Sequence, residues 1–394
     1  LDTGIEGILI ESNTDKMDVA VFRGVESDTS GNFREAAEGA YVSYFFPHNI
    51  RMGGSISHLD EGARHPTIDR IGYEFEGEYG NLNLYTAYVS DKLDSLNSDW
   101  VRYHNGFYST ATFFGTGWGI LAEYKNYELF TYNDPGIIGG VTDYPSLQYP
   151  ATGVPEATMY LLDRHPRLAH YYDDLGFQLE GTATYQNWGL SLNYNQSSDH
   201  DDNALLPQMK EELSPYRAFF AHVEHDPWEG NRFVVLGGWS ENVEFTRLAN
   251  GGGYSLWFQR FGLGGVYDYK IDDANSLEAE IQLMKETDKS PGREDEHWEE
   301  YLALSWSRSP NLIVTGLLER TEDINEAGAK DWKAGIIGGA GKYWSSLEVA
   351  LDIYERHQMR LFYGYERGGL RCTGGVCRQV NPFKGVKITF TSSF

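Results

Sequence analysis

The chain has two cysteines, Cys372 and Cys377, separated by four residues of which two, Gly374 and Gly375, are glycines. A short glycine-bearing loop brings two Cα atoms within disulfide range, and an oxidising compartment then closes the bond. The spacing is not that of a Cys-x2-Cys zinc site and no histidine follows nearby. No Cys-x-x-Cys-His occurs, so the chain itself holds no c-type haem and no cofactor is expected. Carboxylates make a second set. Glu74, Glu76 and Glu78 recur at every other position, as do Glu278 and Glu280, and Glu123, Glu180, Glu348, Asp352 and Arg360 lie in similarly alternating stretches. At a period of two such residues share one face of a strand. Lining a lumen, they either give it a cation preference or merely keep it hydrated, with Lys125, Arg360 and Lys387 offsetting part of the charge. In Asp199-His200-Asp201-Asp202-Asn203, the carboxylates of Asp199, Asp201 and Asp202 are hard ligands suited to calcium, but the EF-hand spacing and glycine are missing. A solvated loop tip is the plainer reading, so no metal is assigned. His165, His170 and His200 sit near Asp163, Asp173, Asp174, Asp201 and Asp202, a composition that a hydrolase site could use. Acidic loops produce such pairs by chance and no nucleophile motif accompanies them, so no catalytic residue is assigned and no enzyme is expected.

The elements that hold these residues read as strands. Val386, Ile388, Phe390 and Phe394 fall on one face of the last segment, and Lys387, Thr389, Thr391 and Ser393 on the other. Leu347, Val349, Leu351 and Ile353 oppose Glu348 and Asp352, and Ile71, Tyr73, Phe75 and Tyr79 oppose Glu74, Glu76 and Glu78. The period is two and the runs are close to ten residues, longer than soluble strands usually are. Short links such as Gly80-Asn81 and Asn187-Trp188 alternate with long polar ones at 26–37, 59–69, 92–101, 133–173, 198–213, 245–252, 287–296, 322–342 and 369–382. Short turns at one end and long loops at the other are the pattern of an outer-membrane barrel. The longest link, 133–173, is apolar in part (Ile137, Ile138, Val141, Leu147, Met159, Leu161, Leu162), which suits a constriction folded into the lumen, a partner contact or a packed cap.

Composition agrees. Of 394 residues 41% are apolar and 14% aromatic, with 27 Tyr, 10 Trp and 44 Gly, and no run approaches the length of a spanning helix. A formal charge of −26 argues against nucleic acid as a partner. About 19 strands running in alternate directions would start the first one outside the cell, so one or more strands are expected upstream of Leu1 or on another chain, unless one strand is mis-split in the Gly-rich stretch 331–342.

The stretch Tyr363-Gly364-Tyr365-Glu366-Arg367-Gly368-Gly369-Leu370, then Arg371-Cys372-Thr373-Gly374-Gly375-Val376-Cys377-Arg378, closes on Thr389-Phe390-Thr391-Ser392-Ser393-Phe394. This resembles a family of bacterial outer-membrane barrel proteins with a Cys-x-Gly-Gly-Val-Cys-Arg loop before a terminal aromatic residue. The resemblance implies a fold and a location but no activity. Phe390 and Phe394 also resemble the end signal read by barrel-insertion machinery.

The expected fold class is therefore all-β: one large antiparallel transmembrane β-barrel over 1–394, with an extracellular loop at 133–173 and a disulfide loop at 369–382. The expected location is the bacterial outer membrane, with lipid, lipopolysaccharide and the insertion machinery as partners. The expected function is a porin-like channel for hydrophilic solutes with a mild cation preference. The alternatives are a sheath around a plug or lumen partner (a lipoprotein, a secreted polypeptide or a cytochrome) and a rim hydrolase.

Overall fold

The computed structural model describes every residue except 1–4, 28–33, 61–66, 95–100, 129–158, 165–172, 202–203, 248–252, 324–329, 333–339, 354–356, 374–375 and 393–394. Alternating apolar and polar residues, rich in Tyr, Phe, Val and Ile, form strands throughout. The first eight are β1 (Ile5–Asn13), β2 (Met17–Ser27), β3 (Arg34–Phe46), β4 (Ile50–Asp60), β5 (Thr67–Tyr79), β6 (Leu82–Asp94), β7 (Val101–Gly115) and β8 (Trp118–Glu128). A single helical turn, α1 (Tyr160–Asp163), precedes β9 (Asp173–Tyr185) and β10 (Trp188–Ser198). A 3-10 turn, Glu211–Leu213, leads to β11 (Tyr216–Trp228), β12 (Asn231–Arg247), β13 (Gly253–Lys270), β14 (Asn275–Ser290), β15 (Arg293–Arg308) and β16 (Leu312–Thr321). The remainder are β17 (Lys330–Trp332), β18 (Gly341–Ile353), β19 (His357–Glu366), β20 (Gly369–Thr373), β21 (Val376–Val380) and β22 (Phe383–Ser392).

All but β20 and β21 belong to one 20-stranded sheet. Nineteen of its members are nine residues or longer, in line with the sequence reading; the other is three-residue β17, which pairs with β18 beside the β16 ladder. The β20–β21 hairpin stands apart as a two-stranded sheet inside the expected 369–382 loop. By contacts the chain divides into two compact units. The first comprises Leu1–Thr152, Ala169–Leu179 and Ser197–Gln208; the second comprises Gly153–Leu168, Glu180–Gln196 and Met209–Phe394.

One expected loop is corrected. Residues 287–296 are not a long link: β14 and β15 stay paired as far as Ser290 and Arg293, and only Pro291-Gly292 turns the chain. Proline presets the first turn position and Gly292, at φ +82°, takes the left-handed one that other residues resist. Apolar alternation could not reveal this hairpin, because both of its faces are polar. Cross-strand pairs such as Lys285–Glu296 at 2.8 Å and Lys289–Glu294 at 3.1 Å line it instead. With β12 at 17 and β13 at 18 residues, this part of the sheet holds strands well beyond the roughly ten residues that a bilayer crossing needs.

Candidate functional site

The ladders sort side chains onto two faces. On one, Val314, Val349, Leu361 and Ile388 lie in direct register across β16, β18, β19 and β22, and Ile388 is 68% exposed. In the first unit Ile56 and Ile71 face each other on β4 and β5, with Ile56 61% exposed. Soluble monomers seldom expose apolar rows of this extent. Phe390 belongs to this face, its ring stacked 5.9 Å from that of His357, whereas Phe394 lies outside the described residues.

In each unit the opposite face carries carboxylates singled out in the sequence. Glu74, Glu76 and Glu78 alternate along β5, where Arg51 of β4 answers two of them, at 3.3 Å from Glu74 and 3.2 Å from Glu76. The Tyr41 hydroxyl also donates to Glu74, and Asn49 Nδ2 donates to Glu78 at 2.9 Å. Glu123 of β8 accepts from the Tyr108 hydroxyl at 3.1 Å. On the same face Lys125 pairs with Asp174 at 3.1 Å, both side chains buried. Glu180 stands at the same alternation on β9 as Asp174. In the second unit Glu278 and Glu280 share a face of β14, and Gln282 donates to Glu280. Glu348 and Asp352 share a face of β18, opposite Phe362 and Gln358 of β19. Gln358 donates to Asp352 at 3.0 Å and receives a hydrogen bond from Arg360 at 2.9 Å. Glu74, Glu76, Glu78, Glu123, Glu280 and Asp352 thus each meet a cation, hydroxyl or amide partner. Arg51 is the partner that the sequence reading overlooked, and its signal was the alternation Arg51-Gly53-Ser55 on β4, in register with Glu76 and Glu74.

A segment lies on the polar face of the second unit. Met159 and Leu161 are fully buried, and Met159 joins Phe220, Val234 and Leu236 in an apolar cluster against which Leu162 and Val266 pack. Those strand residues occupy positions where the alternation calls for polar side chains. Glycines make the room: a Cβ on Gly238 would stand 2.4 Å from Leu162 Cδ1, and one on Gly262 2.5 Å from Met159 Cε. A four-residue turn has no helical stability of its own, so α1 is held by what it touches. The Leu161 amide donates to Gln282 Oε1 at 3.0 Å, and the Tyr160 hydroxyl to Glu319 Oε1 at 2.9 Å. The Tyr160 ring lies 4.6 Å from that of Tyr301. Arg164 donates to the Tyr160 hydroxyl at 3.1 Å and to the Gly368 carbonyl, and stands 3.8 Å from Glu319 Oε2. Beside it Arg367 donates to Glu299 and lies 4.8 Å over the Trp344 ring. The apolar content of the 133–173 link had pointed to Met159, Leu161 and Leu162. Gln282, Glu319, Glu299 and Arg367 were not foreseen, because a polar residue on a polar face carries no sign that it will be covered.

The remaining candidates divide. His200 meets Asp173 through Nδ1, while its Nε2 lies 3.1 Å from Asn126 Oδ1. Ser198 Oγ donates to the Asp199 carbonyl at 2.8 Å and accepts from the Gln208 amide at 3.1 Å, so it is not aligned with His200 as a nucleophile. Of the calcium candidates, Asp199 and Asp201 turn backbone carbonyls to Ser198 and Ala204, and Asp202 lies outside the described residues, as do His165 and His170. The β20–β21 ladder sets Cys372 directly opposite Cys377; their side chains lie outside the described residues.

Residues 265–394 match a protein family described as a family of unknown function (DUF6029). No curated protein sequence matches the chain. Among solved structures the chain is similar to a bacterial polysaccharide outer membrane secretin, at 10% identity and a TM-score of 0.30, over 80% of this chain and 89% of that one. It is similar to the FrpB iron transporter from Neisseria meningitidis (F3-3 variant), at 10% identity and a TM-score of 0.35, over 98% and 70%. It is also similar to the copper transporter OprC, at 10% identity and a TM-score of 0.30, over 99% and 78%.

Proposed function

We propose that the chain forms a transmembrane β-barrel of a bacterial outer membrane and serves as a constricted, cation-preferring passage for small hydrophilic solutes. The observation that carries this reading is the seating of Met159–Arg164 on the polar face of β12–β16, on the side opposite the exposed apolar rows. A sheet with one face suited to lipid and the other to water fits a barrel wall. A lumen as wide as nineteen strands imply would leak unless narrowed, and a segment latched to the wall supplies the narrowing. In this reading Glu74, Glu76, Glu78, Glu123, Glu180, Glu278, Glu280, Glu348, Asp352 and Arg360 line the passage. The carboxylate majority sets its charge. Phe390 and Phe394 mark the strand for the insertion machinery, and a Cys372–Cys377 disulfide pins the last loop. No catalytic step is assigned.

Single-channel recording in planar bilayers tests the passage. The purified chain is expected to conduct in small steady steps, and Gly262→Leu, which takes the space of the Met159 side chain, is expected to enlarge them several-fold. A barrel that stays closed in both forms while holding a second polypeptide favours the sheath instead. Intact-mass measurement with and without reductant, after alkylation, reports the disulfide.

A further inference from the structure

We propose that Glu286, Asp288 and His297, near the Pro291-Gly292 end of the β14–β15 hairpin, form a binding site for one divalent transition-metal ion, with Zn2+ the best match. Glu286 is directly opposite His297 in the ladder, and Asp288 follows two residues along β14, so all three project from one face. One ligand atom from each lies within 4.8 Å of the others. The paired strands fix all three Cα positions relative to one another, so the ligands close on an ion by side-chain rotation. An imidazole with two carboxylates is a Zn2+ or Mn2+ donor set, and it leaves coordination positions open; calcium prefers all-oxygen ligands.

Three further observations point to a cation. Asp288 Oδ1 is shut off from solvent and accepts no hydrogen bond. Its neighbour on that face is the Glu286 carboxyl, and two adjoining carboxylates repel unless a proton or a cation lies between them. Glu286 and His297 are largely covered, with side-chain exposures of 6% and 12%, and His297 Nε2 stands 3.6 Å from Glu286 Oε1. On the far side of Glu286, Arg260 binds its other carboxyl oxygen. That contact orients Glu286 as an outer partner orients a ligand and cancels one of the two negative charges. On this face Asp295, opposite Asp288, pairs with Arg293. A bound ion would tie β14 to β15 near their turn.

The test is independent of conductance. Full-length protein in detergent, stripped with EDTA, is titrated calorimetrically with ZnCl2, MnCl2 and CaCl2. One saturable Zn2+ per chain is expected, weakened roughly tenfold or more by Asp288→Asn and by His297→Ala, and unchanged by His222→Ala on β11. In wild-type protein, Zn2+ is also expected to protect His297 from diethylpyrocarbonate, read by peptide mass spectrometry, which keeps the test valid should a variant misfold. Saturation by Ca2+ in place of Zn2+, Zn2+ binding that survives both substitutions, or equal modification of His297 with and without Zn2+ would overturn the proposal.

Discussion

The two units build their polar faces in different ways. Over β4 and β5, Arg51 is 29% exposed and its partners Glu74 and Glu76 are 22% and 50% exposed, so these ions keep much of their water. Over β15 and β16, the Arg164–Glu319 pair is 4% and 2% exposed, and the Arg367–Glu299 pair 2% and 1%. The local alternation is the same in both regions. What differs at Glu319 is the segment laid over it, which brings the Tyr160 hydroxyl and Arg164 onto its carboxylate. Hydrated ion pairs contribute little, about 0–1 kcal/mol. Buried ones make the removal of a single partner costly, because the other charge is left without water.

Glu319→Ala should therefore have the largest effect, about 3–5 kcal/mol against the docked segment. Glu76→Ala should cost no more than about 1 kcal/mol. Hydrogen exchange at the Leu161 amide for the first, and urea unfolding for both, check the contrast; equal effects would erase it. Leu161→Ala follows at about 2–3 kcal/mol, read as faster proteolysis between residues 153 and 168; an unchanged rate would mean that the apolar seat is not what holds the segment. Third, neutralising Glu74, Glu76 and Glu78 together to Gln should move the reversal potential in a salt gradient towards zero with little loss of stability. An unmoved potential would remove these residues from the passage. The smallest effect belongs to Asp272, in the turn between β13 and β14, where the Ala274 and Asn275 amides donate at 2.8 and 2.9 Å. The Ala274 amide first, and then the Asn275 side chain, hold its carboxyl below the ordinary carboxylate range. A depressed folded value means that the contribution is complete above the unfolded value and is lost as pH falls through the folded one. The stability gap between wild type and Asp272→Ala should be flat from about pH 5 to 8 and narrow below about pH 4.

The strands and their two faces were legible in the sequence because alternation is local: Val386, Ile388 and Phe390 declare a face without reference to any other strand. Turns were legible where glycine or asparagine marked them, as at Gly80-Asn81. The β14–β15 extension was not, since a hairpin with two wet faces lacks the apolar signal. The candidate site was half legible. Met159, Leu161 and Leu162 stood out as apolar residues in a long link, but their seat depends on pairings across many strands. Phe220, Val234 and Leu236 are apolar on a polar face, and the Met159 side chain that packs on them lies far away in sequence.

The seat also has a consequence for the order of assembly. Leu161, Tyr160 and Arg164 bind partners 121, 159 and 204 residues further along the chain, at Gln282, Glu319 and Gly368. None of those partners exists as a surface until the later strands have paired. Contacts this remote in sequence form slowly, so the segment waits, undocked, while the wall that receives it is completed. Its docking reports that the second unit has been finished, and a probe on Leu161 would serve as a clock for that last step.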